Sequence, residues 1–187
     1  MKLAVAVLAA TLAATLALPA AAAEVSGVKL ADTAKVGGVD LVFNGGAVRS
    51  KLIFKVYVAS LYVPAKTSSL ATVLKGPRRV QMNLMRTISA ESLIEALNEG
   101  LKDNSSAAEL AAVKAQVDQL QTIMKSFGEV KEGAVVTLDF ADDTTTIGLN
   151  GAPRGTIAGA AFNAALLRIW LGPKPIQQDV KAAMLKG

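Results

Sequence analysis

Val48-Arg49-Ser50-Lys51-Leu52-Ile53-Phe54-Lys55-Val56-Tyr57-Val58-Ala59-Ser60-Leu61-Tyr62-Val63-Pro64 is the stretch on which the fold reading rests. Its side chains alternate in character with period two, so it reads as extended strand up to Pro64. The even positions Val48, Leu52, Phe54, Val56 and Val58 are apolar and form an expected core face. The odd positions carry Arg49, Lys51, Lys55 and Tyr57, three cations and a phenol without a carboxylate. Held on a rigid strand, such a set can receive an anionic head group or a phenolate. The alternative is that the long basic side chains lie along apolar surface with their charges in water.

Outward from this stretch, strands dominate both ends of the chain. Val25–Leu30 and Val39–Phe43 are short β-prone runs, with turns at Gly37-Gly38 and Asn44-Gly45-Gly46. Ser68–Leu74 reads as a short helical turn that Lys75-Gly76-Pro77 ends. Arg79–Arg86 is a second strand, with Val80, Met82 and Leu84 on one face and Arg79, Gln81, Asn83 and Met85 on the other. Ser89 is placed to cap a helix from Ala90 to Lys102. Ser106 and Glu109 have capping-box spacing at the head of a helix expected to run to Phe127 and stop at Gly128. Strand signals return at 134–140, 144–149 and 155–157, with turns at Asp142-Asp143 and Asn150-Gly151. A helix over Ala160–Leu171, closed by Gly172-Pro173, and a short one near Asp179–Leu185 end the chain. This order predicts an α+β fold, one antiparallel sheet with helices layered on one face.

Residues 1–23 stand apart. Lys2, an uncharged apolar run from Leu3 to Leu18 and the small residues Pro19–Ala23 have the form of a secretory signal peptide. Cleavage after Ala23 would leave residues 24–187 as one periplasmic domain without a retained membrane anchor. The chain has no Cys and no His. Disulfides, Cys/His zinc sites and imidazole or thiolate catalysis are therefore excluded. Any chemistry falls to Arg, Lys, Tyr, hydroxyls, amides, carboxylates or water, and no cofactor motif is present. The formal net charge is +5, which favours anionic partners. Aromatic residues make up only 4% and the basic ones are scattered, which argues against nucleic acid.

Asp139, Asp142 and Asp143 lack the spacing of a calcium loop and read as turn chemistry. Met82, Met85 and Trp170 read as core, with pocket lining as the alternative. Arg86 precedes a helix start, where it can face an anion or pair with Glu91 or Glu95. Asn98 interrupts an apolar helix stripe and needs a partner or water.

These residues resemble the chalcone isomerase-like family. The likeness is carried by Arg49, by Phe54–Val63, by Met85-Arg86-Thr87-Ile88-Ser89-Ala90-Glu91, by Ala96-Leu97-Asn98-Glu99-Gly100, by Gly155–Gly159 and by Phe162–Gly172. It spans nearly all of the chain after the leader and looks closest to an exported bacterial branch. It implies an open-faced β-sandwich, a large antiparallel sheet covered by helices. It also implies one of two activities. Plant members close a chalcone, a phenolic enone, by intramolecular attack, while plastid members bind fatty acids through an Arg and a Tyr. Arg49 matches the Arg shared by both groups. Tyr57 matches the Tyr of the fatty-acid binders, and Asn98 falls where the isomerases keep an Asn. The isomerases' catalytic Tyr would fall near Glu91 and their Ser/Thr near Ala164, so both hydroxyls are missing here. Arg49, Tyr57 and Asn98 are thus the candidate catalytic set, and the same three with Arg86 the candidate ligand-binding set.

The expected function is binding of a small apolar ligand with an anionic end, with isomerase or intramolecular lyase activity and a ligand-free structural role as the alternatives. One condition decides between them. Eight residues along a straight strand separate Arg49 from Tyr57 by ~26 Å. They meet only if the chain bends or turns between them, near Ser50-Lys51.

Overall fold

The chain does turn between Arg49 and Tyr57, and that turn organises the architecture. A computed structural model describes residues 23–187. The expected leader lies outside the described residues apart from Ala23. The first elements are β1 (Ala23–Val25), β2 (Val28–Leu30), β3 (Thr33–Val36), β4 (Val39–Lys51) and β5 (Phe54–Val63). After them come α1 (Leu70–Val73), β6 (Arg78–Leu84), β7 (Ile88–Ser89), α2 (Ala90–Asn104), α3 (Ala107–Ala112) and α4 (Lys114–Lys125). The chain closes with β8 (Glu129–Val130), β9 (Val135–Ala141), β10 (Thr144–Leu149), β11 (Ala152–Ala158), α5 (Ala160–Leu171) and α6 (Gln178–Met184).

Seven strands form one antiparallel sheet in the order β11-β10-β9-β6-β5-β4-β3. β1–β2 and β7–β8 are separate two-stranded pairs. Helices cover one face of the sheet. The main core joins inner-face side chains such as Leu61, Val80, Leu138 and Ile147 to Leu97, Leu120, Leu166, Ile169 and Val180 from the helices. The opposite face holds a second, small cluster of Val36, Leu41 and Tyr62, with Phe43 edge-on to Tyr62. Its ladder is finished by polar pairs, above all the two-bonded Arg79–Asp139 contact across β6 and β9, at 2.5 and 2.7 Å. This is the α+β arrangement that the residue order predicts, and the open-faced β-sandwich that the resemblance implies.

Two elements depart from expectation in ways that matter for the site. The stretch 48–63 is a hairpin: β4 turns into β5 at Leu52-Ile53, with Leu52 at φ 56°. The β4–β5 ladder also carries two bulges, since the register passes from Phe43↔Tyr62 to Gly45↔Leu61 and from Arg49↔Tyr57 to Ser50↔Lys55. The extra residues are Asn44 on β4 and Val56 on β5. A bulge resets the alternation. Val56 packs into the core as expected, and Phe54 shares its face by alternation but is exposed; beyond the bulge the inward set is Tyr57, Ala59, Leu61 and Val63. Val58, expected on the core face, is buried on the opposite one by alternation. Leu52 is at the exposed tip.

The remaining differences are smaller. The run Val25–Leu30 is a hairpin folded at Ser26-Gly27, both at positive φ. The single helix expected from 107 to 127 breaks at Val113. That break buries Val113 while α3 stays on the surface, tied down by Glu109 to Arg168 at 3.1 Å. The Ser106–Glu109 capping box forms as its spacing indicates.

The β4 bulge anchors the C-terminus. Asn44 is buried, donates through Nδ2 to Thr67 O and Met184 O, and accepts at Oδ1 from Thr67 N. Gly45 beside it allows α6 to lie directly on β4, because a Cβ there would sit 2.0 Å from Ala183 O. α2 and α5 approach closely at Gly100, where a Cβ would meet Ile169 at 2.8 Å.

Candidate functional site

The hairpin and the Val56 bulge place Arg49 and Tyr57 opposite each other on the inner face. The Arg49 guanidinium carbon lies 5.8 Å from the centre of the Tyr57 ring. Arg49 makes no ion pair among the described residues, and its Nε is buried without a hydrogen-bond partner. A guanidinium held this way offers donors to an incoming anion.

Tyr57 is buried, and its hydroxyl oxygen accepts a bond from Trp170 Nε1 at 3.2 Å. No described residue accepts the phenolic proton. Burial pushes the Tyr57 pKa above the usual 10.0, and the nearby Arg49 charge and the Trp170 bond pull it back only partly. At neutral pH Tyr57 is therefore a phenol, a hydrogen-bond donor whose oxygen is already polarised by the indole N–H.

Two spaces meet at Tyr57. On its inner side an apolar cavity of about 80 Å³ lies between sheet and helices, walled by Met82, Leu97, Met124, Phe127, Ile169 and Trp170 among others. On its outer side an open cleft carries the charges: Arg49, Lys51 and Arg86, with Phe54, the Ser89 and Ser92 hydroxyls, and Glu95. Tyr57, Leu93 and Ala96 line both spaces. Arg86 is exposed and stacks its guanidinium carbon 4.9 Å over the Phe54 ring. It pairs with neither Glu91 nor Glu95.

Asn98 does not join this set, a correction to the residue grouping above. It is exposed on α2, where its Oδ1 accepts from Gln121 Nε2 of α4 at 2.9 Å, and it borders a separate surface groove. Helical periodicity explains this, because Asn98 is off the face that carries Leu93 and Ala96. Glu91 and Ala164 are both exposed and line neither space at Tyr57; Ala164 lines a separate groove beside Arg78. Trp170 is the partner that sequence reasoning assigned to the core without linking it to Tyr57. The two are far apart in the chain, and only the packing of α5 on the sheet joins them. Met82 lines the cavity, as the alternative reading of that residue allowed.

The fold and site together define a sheet-and-helix protein with a cation-rimmed entrance to an apolar interior. The chain belongs to the chalcone isomerase-like family, whose family model matches residues 22–186. A fatty-acid binding protein of Arabidopsis thaliana has a similar solved structure, with a TM-score of 0.64 and 9% sequence identity over 86% of this chain and 92% of that one. At that identity the likeness is one of fold. No curated protein matches the sequence.

Proposed function

We propose that this chain is a periplasmic carrier of a small apolar molecule with a carboxylate or similar anionic end, such as a fatty acid. The carrying observation is the junction at Tyr57, where the unpaired cation Arg49 and a free phenolic proton stand at the entrance of an apolar cavity. The carboxylate would accept from Arg49 and Tyr57, and Arg86 would add charge at the rim. The tail would enter between Met82, Met124 and Trp170.

The cavity as it stands holds only a few water-sized groups, roughly 10–15 Å³ each. A long chain would have to displace side chains, and Met82 and Met124 are of the kind that repack most readily. The family membership and the fold of the Arabidopsis protein support the reading. Against catalysis stand a phenol held protonated and the absence of a hydroxyl at Glu91 and Ala164. Export rests on the form of residues 1–23, and N-terminal sequencing of periplasmic protein should begin at Glu24.

The test is a titration with saturated fatty acids of increasing length. Each buried methylene contributes about 0.8 kcal/mol, so affinity should rise about fourfold per carbon until the cavity is full. Affinity independent of chain length would refute the carrier reading. Enhancement of chalcone cyclisation above background, lost in Arg49→Ala, would replace it with the isomerase.

A further inference from the structure

The tip of the β4–β5 hairpin is built unlike the other tight turns of the chain. Four of them use Ser26-Gly27, Gly37-Gly38, Asp142-Asp143 and Asn150-Gly151, small or polar residues at positive φ. Those are the residues that two-residue hairpin turns favour. The β4–β5 turn instead uses Leu52-Ile53, with Leu52 in the left-handed region that a bulky side chain rarely adopts.

These residues are also bare. Leu52 is 90% exposed, Ile53 87% and the adjoining Phe54 52%. The tip stands clear of the sheet. β6 pairs with β5 only from Tyr57 onward, and β3 pairs with β4 only up to Val42, so residues 50–55 pair with no strand outside the hairpin itself. Cations collar the tip: Lys51 and Lys55 flank it, and Arg86 is stacked on Phe54. Lys55 Nζ reaches Ser26 Oγ in the neighbouring β1–β2 hairpin, whose Glu24 and Lys29 lie opposite each other and offset one another. Glu95 is the carboxylate of the cleft, behind the tip on α2.

We propose that this tip is a membrane-docking finger, which inserts Leu52, Ile53 and Phe54 into the surface of an anionic phospholipid bilayer while Lys51, Lys55 and Arg86 contact the head groups. Three apolar side chains on a narrow convex tip are too little surface for a stable protein interface, which needs about 800 Å² per partner. They suit the depth of the head-group and acyl boundary, and basic residues beside them match anionic lipid. The position adds a purpose. Leu52 and Phe54 also line the cleft that leads to Arg49 and Tyr57, so docking brings that entrance to the bilayer. Docking itself is read from the tip alone and stands without the fatty-acid assignment.

The chain has no Cys, so one can be placed at will. Ile53→Cys carrying an environment-sensitive fluorophore should show a blue shift with vesicles of phosphatidylcholine and phosphatidylglycerol. Ala108→Cys, on the exposed α3, should show none. Lys55→Gln should weaken vesicle binding about fivefold, the effect of one basic residue near an anionic surface. Ile53→Asp should weaken it at least about tenfold. Dodecanoate affinity of Ile53→Asp in vesicle-free solution should stay at wild type, since Ile53 does not line the cleft. Loss of vesicle binding in Ile53→Asp with dodecanoate affinity intact supports the finger. Vesicle binding unchanged in Ile53→Asp, equal binding to pure phosphatidylcholine, or a concentration-dependent blue shift without vesicles (a second copy covering the tip) would each overturn it, whatever the outcome with dodecanoate.

Discussion

Replacing Arg49 with Ala should weaken binding of a fatty acid strongly while leaving the empty protein almost as stable as before. A hydrogen bond to a charged group contributes about 1.5–3 kcal/mol, so losing it lowers affinity for dodecanoate roughly 10- to 150-fold. The stability side has two opposing parts. The cation–π contact of Arg49 with Tyr57, at 5.8 Å, is worth about 0.5–1 kcal/mol. Against it, the substitution removes a buried Nε that has no partner in the empty protein, a burden of about 1 kcal/mol or more. The two nearly cancel, so Tm should move by no more than about 4 °C. Calorimetric titration should use dodecanoate and dodecanol against wild type, Arg49→Ala and Lys55→Ala. The alcohol has the same tail without the charge, and Lys55 lies on the same hairpin but is bonded to Ser26. Loss confined to dodecanoate in Arg49→Ala is the expected pattern. An equal loss for acid and alcohol would show that Arg49 shapes the cavity rather than holding an anion, and the reasoning would fail.

Two further outcomes follow from Asn44 and from the buried tyrosines. Asn44→Ala removes three hydrogen bonds and strands Thr67 N and Met184 O, so denaturant unfolding should show a loss of about 2–4 kcal/mol, with α6 loosening first by hydrogen exchange. Tyr57 and Tyr62 both have folded-state pKa values raised by burial, so their stabilising effect is complete below pH 10 and is lost as pH rises through the folded values. Phenolate absorbance should therefore appear together with unfolding, and a reversible step near pH 10 in the folded protein would contradict the burial of both.

Much of the fold was legible because local signals and packing agree. The Asn150-Gly151 turn, the Ser106–Glu109 box and the α5 boundaries each follow from chemistry within a few residues. Over 48–63 those signals are silent. Nothing in Leu52-Ile53 announces a turn, since the residues that favour one are absent and alternating apolar positions run across it. A bulge is equally hidden, because period two reads Val56 as inward and Tyr57 as outward, while the extra residue turns both inward. Yet the chemistry of the site hangs on both features. Without the turn, Arg49 and Tyr57 would be ~26 Å apart. With the turn but no bulge at Val56, the ladder phase set by Phe54 would carry through, and Tyr57 would point to the open face of the sheet. The two features that sequence pattern cannot show are the two that make a site. One of them, the apolar turn, is poor turn chemistry with its side chains in water. A turn that only had to join two strands would carry Asn-Gly, as at 150–151, so Leu52 and Ile53 are best understood through what the tip touches.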